Sequence, residues 1–128
     1  MQNEKHILNS AINKPKTFYT IGIGLTLLFG LGHIAYAFVE YEMLDEQALW
    51  FLSGALAVLF NAGLNLLYFY ECSRLNFMVA MSANFALLVF SLLLVFVIQE
   101  TQTFGFAVVV IYTTVICYIH NRYAVLIK

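Results

Sequence analysis

The candidate site residues inside the apolar runs of this chain are few: the polar side chains of His33, Asn61, Asn84, Ser91 and Tyr112, and the gap left by Gly54. His33 sits inside an uncharged apolar run, and imidazole is the side chain that changes protonation near neutral pH. An ionisable group in such surroundings is costly to keep, which marks it as a functional suspect. Asn61 and Asn84 lie in two further apolar runs, where a buried amide needs partners on a neighbouring segment or a ligand. Cys72 and Cys117 form neither a CxxC pair nor a metal-ligand spacing, so a disulfide framework is not expected.

Lipid is the solvent that positions these residues. Of 128 residues, 62% are hydrophobic and 10% charged, against roughly 25% charged in soluble domains. A small water-soluble fold leaves too much surface exposed to hide that apolar content. Apolar runs occupy 18–39, 48–70, 76–98 and 104–123, and about 20 helical residues cross a bilayer core of about 30 Å. The fourth run reaches full length if Arg122 snorkels to the interface. Strands would leave backbone groups unpaired in lipid unless about eight or more closed into a barrel, so helices are expected.

The connections at 40–47, 71–75 and 99–103 are tight, so sequential helices should pack antiparallel. The expected fold is all-α: an integral membrane, antiparallel four-helix transmembrane bundle with short loops. A short segment 1–17 precedes a single domain 18–123, and a tail 124–128 follows it. Pro15 stands where a helix start tolerates proline.

Four spans put Lys5, Lys14, Lys16, Arg74, Arg122 and Lys128 on one side, and Glu40, Glu42, Asp45, Glu46 and Glu100 on the other. The excess of Lys and Arg marks the cytoplasmic face, so both termini are expected there, in a plasma or bacterial inner membrane. Lys14, Lys16 and the small-residue stretch Ala35-Tyr36-Ala37 also resemble a cleaved signal peptide, but the apolar run exceeds a signal core. Tyr19, Tyr36, Tyr41, Tyr68, Tyr70, Tyr118, Tyr123 and Trp50 lie near helix ends, as interfacial aromatics do. Tyr112 falls well inside the fourth helix.

Helical spacing groups Gly22, Thr26, Gly30, His33 and Ala37 on one face of the first helix, and Gly54, Ala57, Asn61, Asn65 and Tyr68 on one face of the second. Asn84, Leu88 and Ser91 share a face of the third. On the fourth, Gly105, Val109, Tyr112 and Ile116 adjoin a face of Thr113, Cys117 and His120. At about 1.5 Å per residue, His33, Gly54, Ser91 and Tyr112 form an outer layer roughly 9–12 Å below the acidic-side boundary. Asn61, Asn84 and Cys117 form an inner one roughly 20 Å below it, with Asn65 a turn deeper. The bland alternatives are close helix packing by the small residues, interhelical bonds by the asparagines, and a neutral His33 bonded to Tyr112 or Ser53.

Several functions lack their parts. The spans hold no reactive cysteine pair, no intramembrane carboxylate of the small-exporter kind, no cluster of metal ligands and no phosphate-binding glycine loop, so an enzyme is not the expected reading. A net charge of −1 disfavours a nucleic-acid partner. The acidic loop 40–46 lacks the alternating pattern of a calcium loop. What remains first is a membrane protein that binds or transports a hydrophobic small molecule or lipid at His33, Gly54, Asn61, Asn84, Ser91 and Tyr112. The alternative is an accessory or scaffold subunit that assembles as a homo-oligomer or with another membrane protein. A third reading has His33 hold a haem, alone or paired across a dimer; His120 is placed at the opposite membrane boundary, too far for a haem shared within one chain.

Overall fold

Polar caps divide the chain into four helices. In the computed structural model, which describes the backbone from Gln2 to Leu126 and the side chains from Lys14 to Ala124, these are α1 (Gln2–Glu40), α2 (Glu46–Tyr70), α3 (Arg74–Val97) and α4 (Thr101–Leu126). Asp45 caps α2 by accepting the Ala48 amide at 2.8 Å, and Ser73 caps α3 by accepting the Asn76 amide at 3.1 Å. Each supplies an oxygen to an amide that the first helical turn leaves without an intrahelical partner.

The helix bounds depart from the sequence reading in one place of note. α1 does not start at Pro15; it continues back to Gln2, so the proline stands inside a 39-residue helix. Its ring removes the amide that would otherwise reach back to the carbonyl of Ala11. The side chains of Lys5 and His6, and Lys128 as a whole, lie outside the described residues.

Contacts between helices run in opposite directions along every neighbouring pair, so the four form an up-down-up-down ring. On α1 and α2, Tyr19 meets Asn65 while His33 meets Phe51. On α1 and α4, Tyr19 meets Cys117, Gly22 meets Thr113 and Phe29 meets Phe106. On α2 and α3, Asn61 and Asn65 meet Asn84 while Tyr68 meets Phe77. One end of the ring therefore carries Lys16, Arg74 and Arg122, the other Glu40, Glu42, Asp45, Glu46 and Glu100. We call these the basic and acidic ends.

All four helices are long and apolar enough to cross a membrane, over Lys14–Glu40, Glu46–Tyr70, Arg74–Val97 and Thr101–Ala124. The outer surface is apolar in the same way: Leu28, Phe60, Phe85 and Phe96 are all exposed. The core is split. Near the basic end, Tyr19, Ile23, Tyr68, Ala80, Ile116 and Cys117 pack together; toward the acidic end, Val58, Leu87, Phe106 and Val110 form a second cluster.

Helix register adds a feature that no hydropathy profile carries. Phe29 lies level with Phe106, so His33 falls level with the first turn of α4, and α1 still has seven residues to run to Glu40. At 1.5 Å per residue the end of α1 stands about 10 Å beyond the start of α4. The α1–α2 hairpin is thus a projecting tip.

Candidate functional site

The inner polar layer is one connected network. The Asn65 amide donates to Asn84 Oδ1 at 2.8 Å while the Asn84 amide donates back to Asn65 Oδ1 at 2.9 Å. Asn61 Nδ2 adds a second proton to Asn84 Oδ1 at 3.0 Å, and Asn65 Nδ2 also reaches the Asn61 carbonyl at 2.8 Å. From α1, the Tyr19 hydroxyl donates to Asn65 Oδ1 at 2.9 Å and lies 3.5 Å from Cys117 Sγ. Tyr19, Asn65, Asn84 and Cys117 are fully buried, and Asn61 nearly so.

A carboxamide has two protons to give and two lone pairs to receive. Asn65 uses all four within the chain. No buried side-chain nitrogen or oxygen among the described residues lacks a partner. The network joins α1, α2, α3 and, through the thiol, α4.

A second, smaller bridge lies toward the middle of the bundle. The Thr26 and Thr113 hydroxyls are 3.2 Å apart, and Thr113 donates to the Gly22 carbonyl at 3.2 Å. Gly22 is what lets α4 come this close: a Cβ there would meet Thr113 Oγ1 at 3.1 Å and the Thr113 backbone at 3.4 Å. Gly30 plays the same part against α2, where a Cβ would stand 2.6 Å from the Leu59 side chain.

The expected outer layer does not assemble. His33 is exposed and stacks on Phe51 with ring centroids 3.7 Å apart. It bonds neither Tyr112 nor Ser53, the partners sequence reasoning offered. The Tyr112 hydroxyl instead donates to the Phe18 carbonyl at 2.9 Å, and the Ser53 hydroxyl to the carbonyl of Trp50. Ser91 is buried but turns to its own helix, donating to the Leu88 carbonyl. A Cβ at Gly54 would meet nothing within 4 Å, so that glycine marks no close approach. The reason lies in the register: His33 belongs to the buried stripe of α1 by angle, but α4 has barely begun at its level.

Three residues that the sequence places near helix ends are also packed inside the bundle. Tyr19 and Tyr68 are buried, and His120, placed at the membrane boundary by sequence, is 3% exposed. The His120 ring stacks against Tyr19 at 5.0 Å and Phe69 at 6.1 Å, with the edge of Tyr68 at 5.7 Å. Its Nε2 lies 3.8 Å from Cys72 Sγ. The Tyr68 hydroxyl donates to Asn121 Oδ1 at 2.9 Å.

Tyr19 and His33 are fourteen residues apart on α1, about 21 Å along the axis. A haem held by His33 and His120 of one chain is excluded by that distance. No group of three or more His, Cys, Asp or Glu able to hold a metal ion occurs among the described residues. No protein-family model, curated protein or solved structure matches the chain.

Proposed function

We propose that this chain is a non-catalytic membrane subunit: a rigid four-helix transmembrane frame, locked by its asparagines, that engages a second membrane protein through the projecting α1–α2 hairpin. One observation carries this reading. The inner polar groups are committed to one another, with no proton or lone pair of Asn65 left for a ligand, whereas His33 on the hairpin has a ring contact and no hydrogen bond to any described residue. An imidazole at the edge of a bilayer gains from a donor or acceptor that a neighbouring chain supplies. Both termini lie on the cytoplasmic side in this proposal, because the basic end faces inward by the excess of Lys and Arg.

The test is cysteine cross-linking from the hairpin in native membranes, with probes at Tyr36 and Trp50, both exposed. A discrete adduct, either with a second copy or with one other membrane protein, is expected to weaken on His33→Ala. An adduct-free chain that counts as single copies in dilute nanodiscs would sink the reading.

A second reading keeps the ligand-binding role, with a lipid-like molecule contacting His33 and the open face of Gly54 from the bilayer side. The empty space beside Gly54 favours it. Asn61 and Asn84 then act by holding the helices, and Ser91 and Tyr112 have no free hydroxyl aimed at that space. Co-purified lipid that disappears on Gly54→Leu, with the fold intact, would favour this reading over assembly.

A further inference from the structure

The hairpin tip holds a cavity that neither reading uses. It is a half-open recess of about 100 Å³ between the end of α1 and the start of α2. Two buried alanines, Ala37 and Ala48, line its inner side. Phe38, Tyr41 and Met43 border its open side, with Phe38 and Met43 largely exposed, and Glu42 supplies the only carboxylate in the lining.

The chemistry of this lining is selective. Glu42 makes no hydrogen bond or ion pair with any described residue, and no Lys or Arg among the described residues lies at this end of the bundle. A cation is therefore the complement by charge. The lining side chains offer one carboxylate and one hydroxyl, too few oxygens to replace the shell of a metal ion. They also offer few acceptors for the three protons of a primary ammonium. Two aromatic rings, a thioether and a single carboxylate suit a cation that has a methylated surface and no proton to give.

We infer that this cavity binds a quaternary ammonium group, of the kind carried by choline, either free or as the head of a membrane lipid. The tip stands about 10 Å beyond the start of α4, at the polar end of the candidate spans Lys14–Glu40 and Glu46–Tyr70. The alkyl surface of the ligand packs on Phe38, Tyr41 and Met43, and Glu42 balances its charge. This inference stands apart from assembly, since the cavity lies within one chain and its occupancy is read on a single copy.

The experiment uses the full chain in nanodiscs of phosphatidylglycerol, with tetramethylammonium as probe and saturation-transfer NMR as readout. Transfer to the methyl protons is expected, with competition by choline and none by sodium at equal ionic strength. Glu42→Gln and the paired Phe38→Leu, Tyr41→Leu change are each expected to weaken binding by about tenfold. Phe38 and Glu42 are exposed, and circular dichroism confirms that these variants fold. Repeating the titration in phosphatidylcholine nanodiscs separates the two sources: loss of the probe signal there identifies the lipid head group, and its persistence identifies a free quaternary ammonium. Absence of transfer to wild type, or transfer unchanged in both variants, overturns the inference, and leaves the cross-linking result of the assembly reading untouched.

Discussion

The two ends of the bundle solve opposite problems with the same small set of residue types. At the basic end, tyrosine and asparagine are buried and saturate one another's hydrogen bonds, with Tyr19, Asn65 and Asn84 at the centre and the His120 ring stacked beside them. At the acidic end, tyrosine and histidine stand at the surface, and Phe51 with its stacked His33 takes the place of a polar network. Polarity inside an apolar bundle holds a frame together only where enough helices reach the same level. Four helices reach the level of Asn65; at the level of Tyr36, α4 has not yet begun.

That contrast makes unequal predictions for substitutions. Asn65→Ala removes the side chain that joins α1, α2 and α3; it leaves the Asn84 amide unsatisfied and the Tyr19 hydroxyl with only the longer contacts to the Asn65 backbone carbonyl and Cys117 Sγ. We expect a loss of about 2–3 kcal/mol in reversible unfolding from mixed micelles. A change within error would mean that water or lipid replaces the amide at no cost.

Gly30→Ala should come next. The added methyl would lie 2.6 Å from the Leu59 side chain, so Leu59 must move, at about 1–2 kcal/mol by the same unfolding assay. Gly32→Ala on the opposite face is the control, since nothing lies within 4 Å of that position. Equal effects at the two glycines would argue against the packing assigned to α1 and α2.

Thr113→Val removes the hydroxyl that bridges Thr26 and the Gly22 carbonyl while keeping the shape. Interhelical bonds in membranes average about 0.6 kcal/mol, and a loss of that order is expected. His33→Ala should be the mildest, within about 0.5 kcal/mol in stability, yet it should reduce the hairpin cross-link. A His33 variant that unfolds as readily as the Asn65 variant would erase the difference between the two ends.

Much of the frame was legible in the chain itself. Run lengths and short connections gave four helices and their alternation. The stripe of Gly22, Thr26 and Gly30 and the pair Asn61 and Asn84 fell on faces that do meet. Tyr19 was readable too: it lies three residues before Gly22 and seven before Thr26, on the same helical face. Its position near a helix end drew the interfacial reading instead, because tyrosine favours both settings and composition cannot separate them. His120 does lie at the level of the α2–α3 connection, beside Cys72; its burial was not legible because Tyr19, Tyr68 and Phe69 close over the last turns of α4. The outer layer failed on a different ground. Depth was counted from each helix end as though all ends were level, and the offset between α1 and α4 is set by packing, which no single helix encodes.

The central claim is that the inner asparagines form a structural lock whose parts depend on each other. A double-mutant cycle of Asn65→Ala and Asn84→Ala, followed by unfolding from mixed micelles, tests it most directly. The reciprocal pair of bonds at 2.8 and 2.9 Å predicts a coupling of about 1 kcal/mol or more. Additive losses, with coupling near zero, would show that the two amides act alone, and would contradict the lock on which the account rests.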